Sequence, residues 1–242
     1  MRLFASAVLV LIVALRVPAA AGQMPERTVP PAPESPLPET NVYAIETTAG
    51  RIVVRLFDDT PAHRDNFKRL VQEAFYDSTT FHRVIQGFMI QGGDPNTRDS
   101  VDSNDGLGDP GYSVPAEIRH HHFRGALAAA RQPDQINPLR ASSGSQFYIV
   151  QGQGPIAPVM LERMVARAGT GVSYTPEAVA RYSEIGGTPA LDGGYTVFGE
   201  VVDGMDVGDA IAASDTPRQH GDAGPWADRP IEAVRVVVRP VE

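Results

Sequence analysis

The sequence predicts a mainly β domain, a closed antiparallel barrel, on three observations. Short β-branched and aromatic runs recur along the chain, from Val42 to Thr47 through Ile231 to Arg239. Turn signals such as Thr48-Ala49-Gly50-Arg51 and Leu191-Asp192-Gly193-Gly194 separate them. Only two or three stretches carry the apolar stripe of a substantial helix. That balance favours a barrel, which leaves no sheet edge exposed.

The chain has 242 residues, with 21 basic and 29 acidic side chains and a formal net charge of −8. The basic residues are scattered, which argues against nucleic acid as a partner. Cysteine is absent, so there is no disulfide, thiolate nucleophile or Cys-bound metal. Arg2, the apolar run Leu3 to Leu15 and the exit Ala19-x-Ala21 form the three regions of a secretory signal, residues 1–22. The run is short for a membrane span, which needs about 20 apolar residues; an uncleaved anchor is the alternative. The protein is therefore expected to be exported, into a periplasm. Residues 23–40 hold six prolines and read as an extended linker.

The folded domain, 41–242, opens with a hairpin of Val42 to Thr47 and Ile52 to Phe57. Thr60-Pro61 supplies an N-cap and a first-turn proline. Phe67, Leu70, Val71, Ala74 and Phe75 then follow at helical spacing, with Arg64, Asp65, Lys68, Arg69 and Gln72 on the polar side. Pro95 to Gly111 is a solvated loop: Asp99, Asp102, Asp105 and Asp109 miss the ligand pattern of an EF-hand. His120-His121-His122 reads as a solvent-facing turn, since three adjacent residues in a regular element cannot all face one ion. Gly125 to Arg131 and Gln146 to Val150 are apolar segments, and Tyr195 to Val202 is a strand. Between them, Pro155 to Ala168 and Thr175 to Ile185 read as helices, a 152–188 segment that the resemblance given below makes a helical insertion. Thr175 caps its second helix, and Gly186-Gly187 end it. Val207 to Ala213 is a short helix, and the last strand puts Val234, Val236 and Val238 on one face.

The chemistry concentrates in Phe81 to Asp94, FHRVIQGFMIQGGD. Strand alternation would point Phe81 and Arg83 one way and place Met89 and Gln91 together, with Gly87 at the bend. One cation, an apolar floor and a neutral amide suit a neutral, partly apolar substrate with one polar atom in need of a donor. His82 falls on the opposite strand face and reads as structural. No nucleophile–base spacing supports a hydrolase or metalloenzyme reading.

With FHRVIQGFMIQGGD, SSGSQFYIV and LDGGYTVFGEV in this order, the sequence resembles the cyclophilins, peptidyl-prolyl cis–trans isomerases, and most closely the bacterial secreted or periplasmic members. The resemblance spans Asn41 to Val241. It implies an eight-stranded antiparallel barrel with a helix closing each end, no cofactor and no metal. It makes Arg83 the catalytic arginine and Phe88, Met89, Gln91, Gln146, Tyr148 and Leu191 the groove and proline pocket. Ala130 and Arg131 match the segment that hydrogen-bonds the substrate backbone, and Tyr195 matches a pocket histidine. Against the commonest eukaryotic pattern, Tyr148 stands where phenylalanine is usual and Arg131 where asparagine is, while Ala190 replaces a tryptophan that helps hold cyclosporin. Weak cyclosporin binding at most is implied. The expected partners are proline-containing polypeptides and the expected state a monomer. The alternative function is a proline-segment binding module or chaperone with little isomerase activity.

Overall fold

In the computed structural model, residues 30–99 and 101–241 are described. The expected signal peptide and the first part of the proline-rich linker lie outside them. The opening hairpin forms as the sequence predicts: β1 (Val42–Thr47) and β2 (Gly50–Leu56) pair in register from Val42↔Arg55 to Thr47↔Gly50. Helix α1 (Pro61–Gln72) follows, then β3 (Thr79–Thr80), β4 (Arg83–Ile85) and β5 (Met89–Gly92). Next come β6 (Ser113–Val114), β7 (Ala126–Ala129), β8 (Ser142–Ser143) and β9 (Phe147–Val150). Helices α2 (Pro158–Ala168) and α3 (Pro176–Ile185) precede β10 (Val197–Asp203), α4 (Met205–Ala212) and β11 (Arg235–Pro240).

Nine strands form one curled antiparallel sheet in the order β3-β11-β1-β2-β10-β7-β9-β5-β4, and β6 pairs with β8 apart from it. The expectation of a closed eight-stranded barrel is thus corrected to an open half-barrel of nine strands. Its two ends, β3 and β4, are joined through the chain by Phe81 and His82 alone. There the amide of Phe81 donates to Val234 O and that of His82 to Gln91 O, toward opposite ends of the sheet. This hand-over also breaks strand alternation. Phe81 turns into the core while Arg83 is exposed, so the two do not share a face as the sequence spacing suggested.

The main core is built from alternate strand residues, among them Tyr43, Ile45, Ile52, Val54, Leu127, Phe147, Ile149, Val236 and Val238. Phe67, Leu70 and Val71 of α1 and Ile211 and Ala212 of α4 close it. Phe67 packs against Tyr76 and Phe147 at ring-centroid distances of 5.2 and 6.0 Å. Truncating such a ring to alanine typically costs about 3–5 kcal/mol.

Helix α1 departs from its sequence reading at three points. Thr60 occupies the cap position, but its side chain makes no cap bond. The carboxylate of Glu117 does this work instead, accepting from the amides of Ala62 (3.1 Å) and His63 (3.0 Å). Burial would raise the Glu117 pKa, but the His63 side-chain and backbone bonds prevail and lower it. Lys68 and Arg69, expected on a solvated face, are buried. Lys68 Nζ donates to Pro38 O (3.0 Å), and Gln72 Nε2 to Ser35 Oγ (2.6 Å), so this part of the proline-rich segment lies along the helix. Finally, the helix stops at Gln72 because Ala74 turns to φ 53°, which leaves Phe75 beyond it but still against the core.

Candidate active site

The other face of the same strands makes the site. Met89 of β5, Ala126 and Ala128 of β7, Tyr148 and Val150 of β9 and Val197 of β10 form a second apolar cluster. Their neighbours Ile90, Leu127, Phe147 and Ile149 belong to the main core. Period-two alternation therefore divides core from site floor along one backbone. Against this floor pack Phe88, Ala130, Leu191 and Tyr195.

These residues enclose a cavity of about 180 Å³ lined by Arg83, Phe88, Met89, Gln91, Ala130, Arg131, Tyr148, Leu191 and Tyr195. Nine of the ten residues singled out from the sequence thus meet in one place. The tenth, Gln146, lines an adjoining cavity of about 240 Å³ that shares Gln91, Ala130 and Arg131. The smaller cavity falls below the roughly 300 Å³ at which drug-sized pockets begin, so it suits one ring rather than a long ligand. No residue of 152–188 lines it.

Arg83 gets its position from a hairpin and a chain of amides. Arg83 faces Gln91 across β4 and β5, and Gly87 at φ 76° makes the turn between them. Gln146 Nε2 donates to Gly106 O (3.1 Å) and Gly108 O (2.8 Å), which fixes its amide orientation. Its Oε1 accepts from Gln91 Nε2 at 3.0 Å, and Gln91 Oε1 in turn lies 3.4 Å from Arg83 NH1. Only one guanidinium nitrogen is engaged in this way, and the group stays exposed at the cavity rim.

The opposite rim is Arg131. Its side chain is buried, with Nε donating to Gly194 O at 2.7 Å and NH1 paired with Asp134 at 2.6 Å. The amide of Ala130 is taken by Gln146 O (2.9 Å), and Ala130 O accepts from the Ser143 amide (2.8 Å). The strand edge offered to a ligand here is accordingly limited to groups beyond these bonds.

His82 is buried beside Arg83, and burial pushes its pKa down to about 4, with Asp94 opposing and Arg83 reinforcing the shift. His82 is thus neutral at ordinary pH. The acidic loop after β5 has internal tasks: Asp94 accepts from the amides of Asn96 and Gly108, Asp99 from that of Val101 and Asp109 from that of Gly111.

The His120–His122 turn is corrected most. His122 is fully buried beneath the cavity, not solvent-facing. Its Nδ1 lies 2.8 Å from Asp192 Oδ1 and its Nε2 2.9 Å from the Tyr148 hydroxyl. A carboxylate can only accept, so Nδ1 carries the proton and Nε2 accepts from Tyr148. Sequence reading missed both His122 and Asp192. The one available signal was an aspartate in LDGG beside the pocket residue Leu191.

A profile of the family described as "Cyclophilin type peptidyl-prolyl cis-trans isomerase/CLD" matches residues 42–238. The chain belongs to this cyclophilin family. A Staphylococcus saprophyticus relative, provisionally named a peptidyl-prolyl cis–trans isomerase, is 32% identical over 195 residues, covering 80% of this chain and 90% of the relative. A Streptococcus pyogenes protein provisionally named a bifunctional phosphatase/peptidyl-prolyl isomerase is 39% identical over 203 residues, 79% of this chain but 38% of that longer protein. Among solved structures, a Cryptosporidium parvum cyclophilin-type isomerase crystallised in the presence of the dipeptide Ala-Pro superposes with a TM-score of 0.56. It is 24% identical, with 83% of this chain and 99% of that chain covered, and supports the fold. The cyclophilin described here is accordingly a peptidyl-prolyl cis–trans isomerase by family.

Proposed function

We propose that this cyclophilin isomerises X–Pro bonds of exported proteins and assists their folding, without covalent chemistry. The proline ring sits in the 180 Å³ cavity, and Arg83 donates to the prolyl nitrogen of the twisted amide. The observation that carries this reading is an arginine free to donate at the rim of an apolar cavity otherwise lined by uncharged groups except Arg131.

Amide resonance gives the bond a barrier of about 18–20 kcal/mol. An acceleration of about 10⁵-fold requires about 7 kcal/mol of differential stabilisation. In the twisted state the nitrogen loses conjugation and gains a lone pair, so a guanidinium N–H meets an acceptor that the planar state lacks. Such a charged hydrogen bond contributes roughly 1.5–3 kcal/mol. The planar amide is the more dipolar form, and the floor of Phe88, Met89, Tyr148 and Leu191 removes water that favours it. Orientation supplies more: Gln91, Gln146 and the Ala130–Arg131 rim flank the ring and hold the chain on either side.

Export rests on the Arg2, Leu3 to Leu15 and Ala19-x-Ala21 pattern. Recovery of the protein from the periplasm without residues 1–22 would support it, and recovery of the intact chain from the cytoplasm would count against it. The decisive enzymatic test is an isomerisation assay on Ala-Pro peptides with wild type beside Arg83→Ala. A loss of about 10- to 100-fold is expected from removing one charged donor; equal rates would favour a binding module.

A further inference from the structure

Asp192 is a fully buried carboxylate with five donors directed at it. Oδ1 accepts from the amide and Nδ1 of His122, at 2.7 and 2.8 Å. Oδ2 accepts from the hydroxyls of Tyr174 and Tyr182, each at 2.7 Å, and lies 3.2 Å from His121 Nδ1. Both tyrosines belong to the 152–188 segment, Tyr182 within α3 and Tyr174 just before it. In sequence Asp192 lies between Leu191 and Tyr195, two walls of the proline cavity, and through His122 it reaches the hydroxyl of a third, Tyr148. Val172 also packs on Gly193 between those walls. A buried ion held by directed donors has little freedom to shift, because any lost bond leaves it less compensated.

Resting on the isomerase reading above, we infer that Tyr174 and Tyr182 are positioning residues: through Asp192 and His122 they set the Tyr148 ring, and hence how tightly the cavity holds a proline. No residue of the 152–188 segment lines the cavity, so it acts from behind the wall rather than by narrowing access. The hydroxyl of Tyr148, where phenylalanine would end the chain of bonds, is what connects it to the floor. The effect belongs to substrate capture. The twisting step depends on Arg83 and is untouched.

The test is a double-mutant cycle on the full chain with an Ala-Pro peptide, using Tyr182→Phe and Tyr148→Phe. Tyr182→Phe should raise KM by about 3- to 10-fold, a fraction of what one hydrogen bond to a charge contributes because its effect reaches the cavity indirectly, with kcat within about twofold. Tyr148→Phe should cut the connection, so that adding Tyr182→Phe changes KM by less than about twofold. Val159→Ala, on the exposed face of α2, should leave both constants as in wild type. Multiplicative effects of the two tyrosine changes, or a KM unchanged by Tyr182→Phe, would overturn the inference. So would a loss matched by the fraction unfolded in circular dichroism. If wild type shows no isomerase activity, the function reading fails by itself. The coupling is then read from peptide binding by calorimetric titration, where equal Kd for wild type and Tyr182→Phe overturns it.

Discussion

The guanidinium carbon of Arg131 lies 4.4 Å from the centroid of the Tyr195 ring. The two side chains fit one another across the cavity wall. The tyrosine gives the arginine a π-face, and Gly194 O, one residue before it, accepts from Nε at 2.7 Å. A cation over an aromatic ring contributes about 0.5–2 kcal/mol, more as it is desolvated. Sequence reasoning treated Arg131 as a backbone contributor only; its side chain braces a wall of the cavity.

Arg131→Ala removes that brace and leaves the Gly194 carbonyl without its donor. KM for an Ala-Pro peptide should rise about tenfold with kcat nearly preserved. Steady-state kinetics check this, and a fall in kcat with constant KM would contradict it.

Arg83→Lys keeps the charge but loses the planar fork. If the fork is what lets one nitrogen rest on Gln91 while another faces substrate, kcat should fall by about tenfold or more while peptide affinity is maintained. Wild-type kcat in the lysine variant would reduce Arg83 to a generic positive charge.

Activity should be flat across neutral pH, because Arg83 stays charged and burial keeps both His82 and His122 in the neutral form. Stability behaves differently. His82 has a folded pKa of about 4 against about 6.5 unfolded. Between those values the unfolded chain binds the proton and the folded chain does not. Stability is therefore complete above about pH 6.5 and is lost as pH falls toward 4, by roughly 3 kcal/mol from this residue. Urea unfolding at pH 7 and pH 4 measures the loss, and His82→Asn should shrink it.

Gly108→Ala should be disruptive although its backbone needs no special conformation. A Cβ there would fall on Asp94 Oδ1 and come within 2.8 Å of the Asn96 side chain. The expected cost is about 1–3 kcal/mol in denaturant unfolding. Because Gly108 O holds Gln146, the same change should reduce kcat/KM through the amide chain that ends at Arg83.

Ala190 is exposed beside the cavity wall. Ala190→Trp should strengthen cyclosporin binding by about tenfold or more, as a buried aromatic anchor does. Inhibition titrations would show it, and identical inhibition constants would remove Ala190 as the determinant.

Much of the site was legible because its information is local. Alternation in Phe147–Val150 and Ala126–Ala129 assigns every second residue to the floor, and Arg83, Gln91 and Gly87 sit within one hairpin. What stayed hidden depends on pairs far apart in sequence. Glu117 caps a helix that begins at Pro61, and Asp192 meets a histidine 70 residues earlier. Thr60 is a sound N-cap by type, yet a carboxylate that arrives from elsewhere displaced it. The closed barrel failed for a similar reason. No periodicity reveals that Phe81 and His82 bond toward opposite ends of the sheet.

That seam has a kinetic consequence. The edge of β4 is tied down by the amide of Val84 donating to Asp228 O at 2.8 Å, and β3 by pairing with β11. The strand that carries Arg83 thus waits for the C-terminal residues, as does β1, whose Tyr43 pairs with Pro240. Contacts of such long sequence separation form late and slow folding. A chain emerging N-terminus first from a ribosome or a translocation pore would have nearly all of its pocket residues available while the arginine still had no fixed address. Activity should then switch on with the last ten or so residues, rather than grow with length.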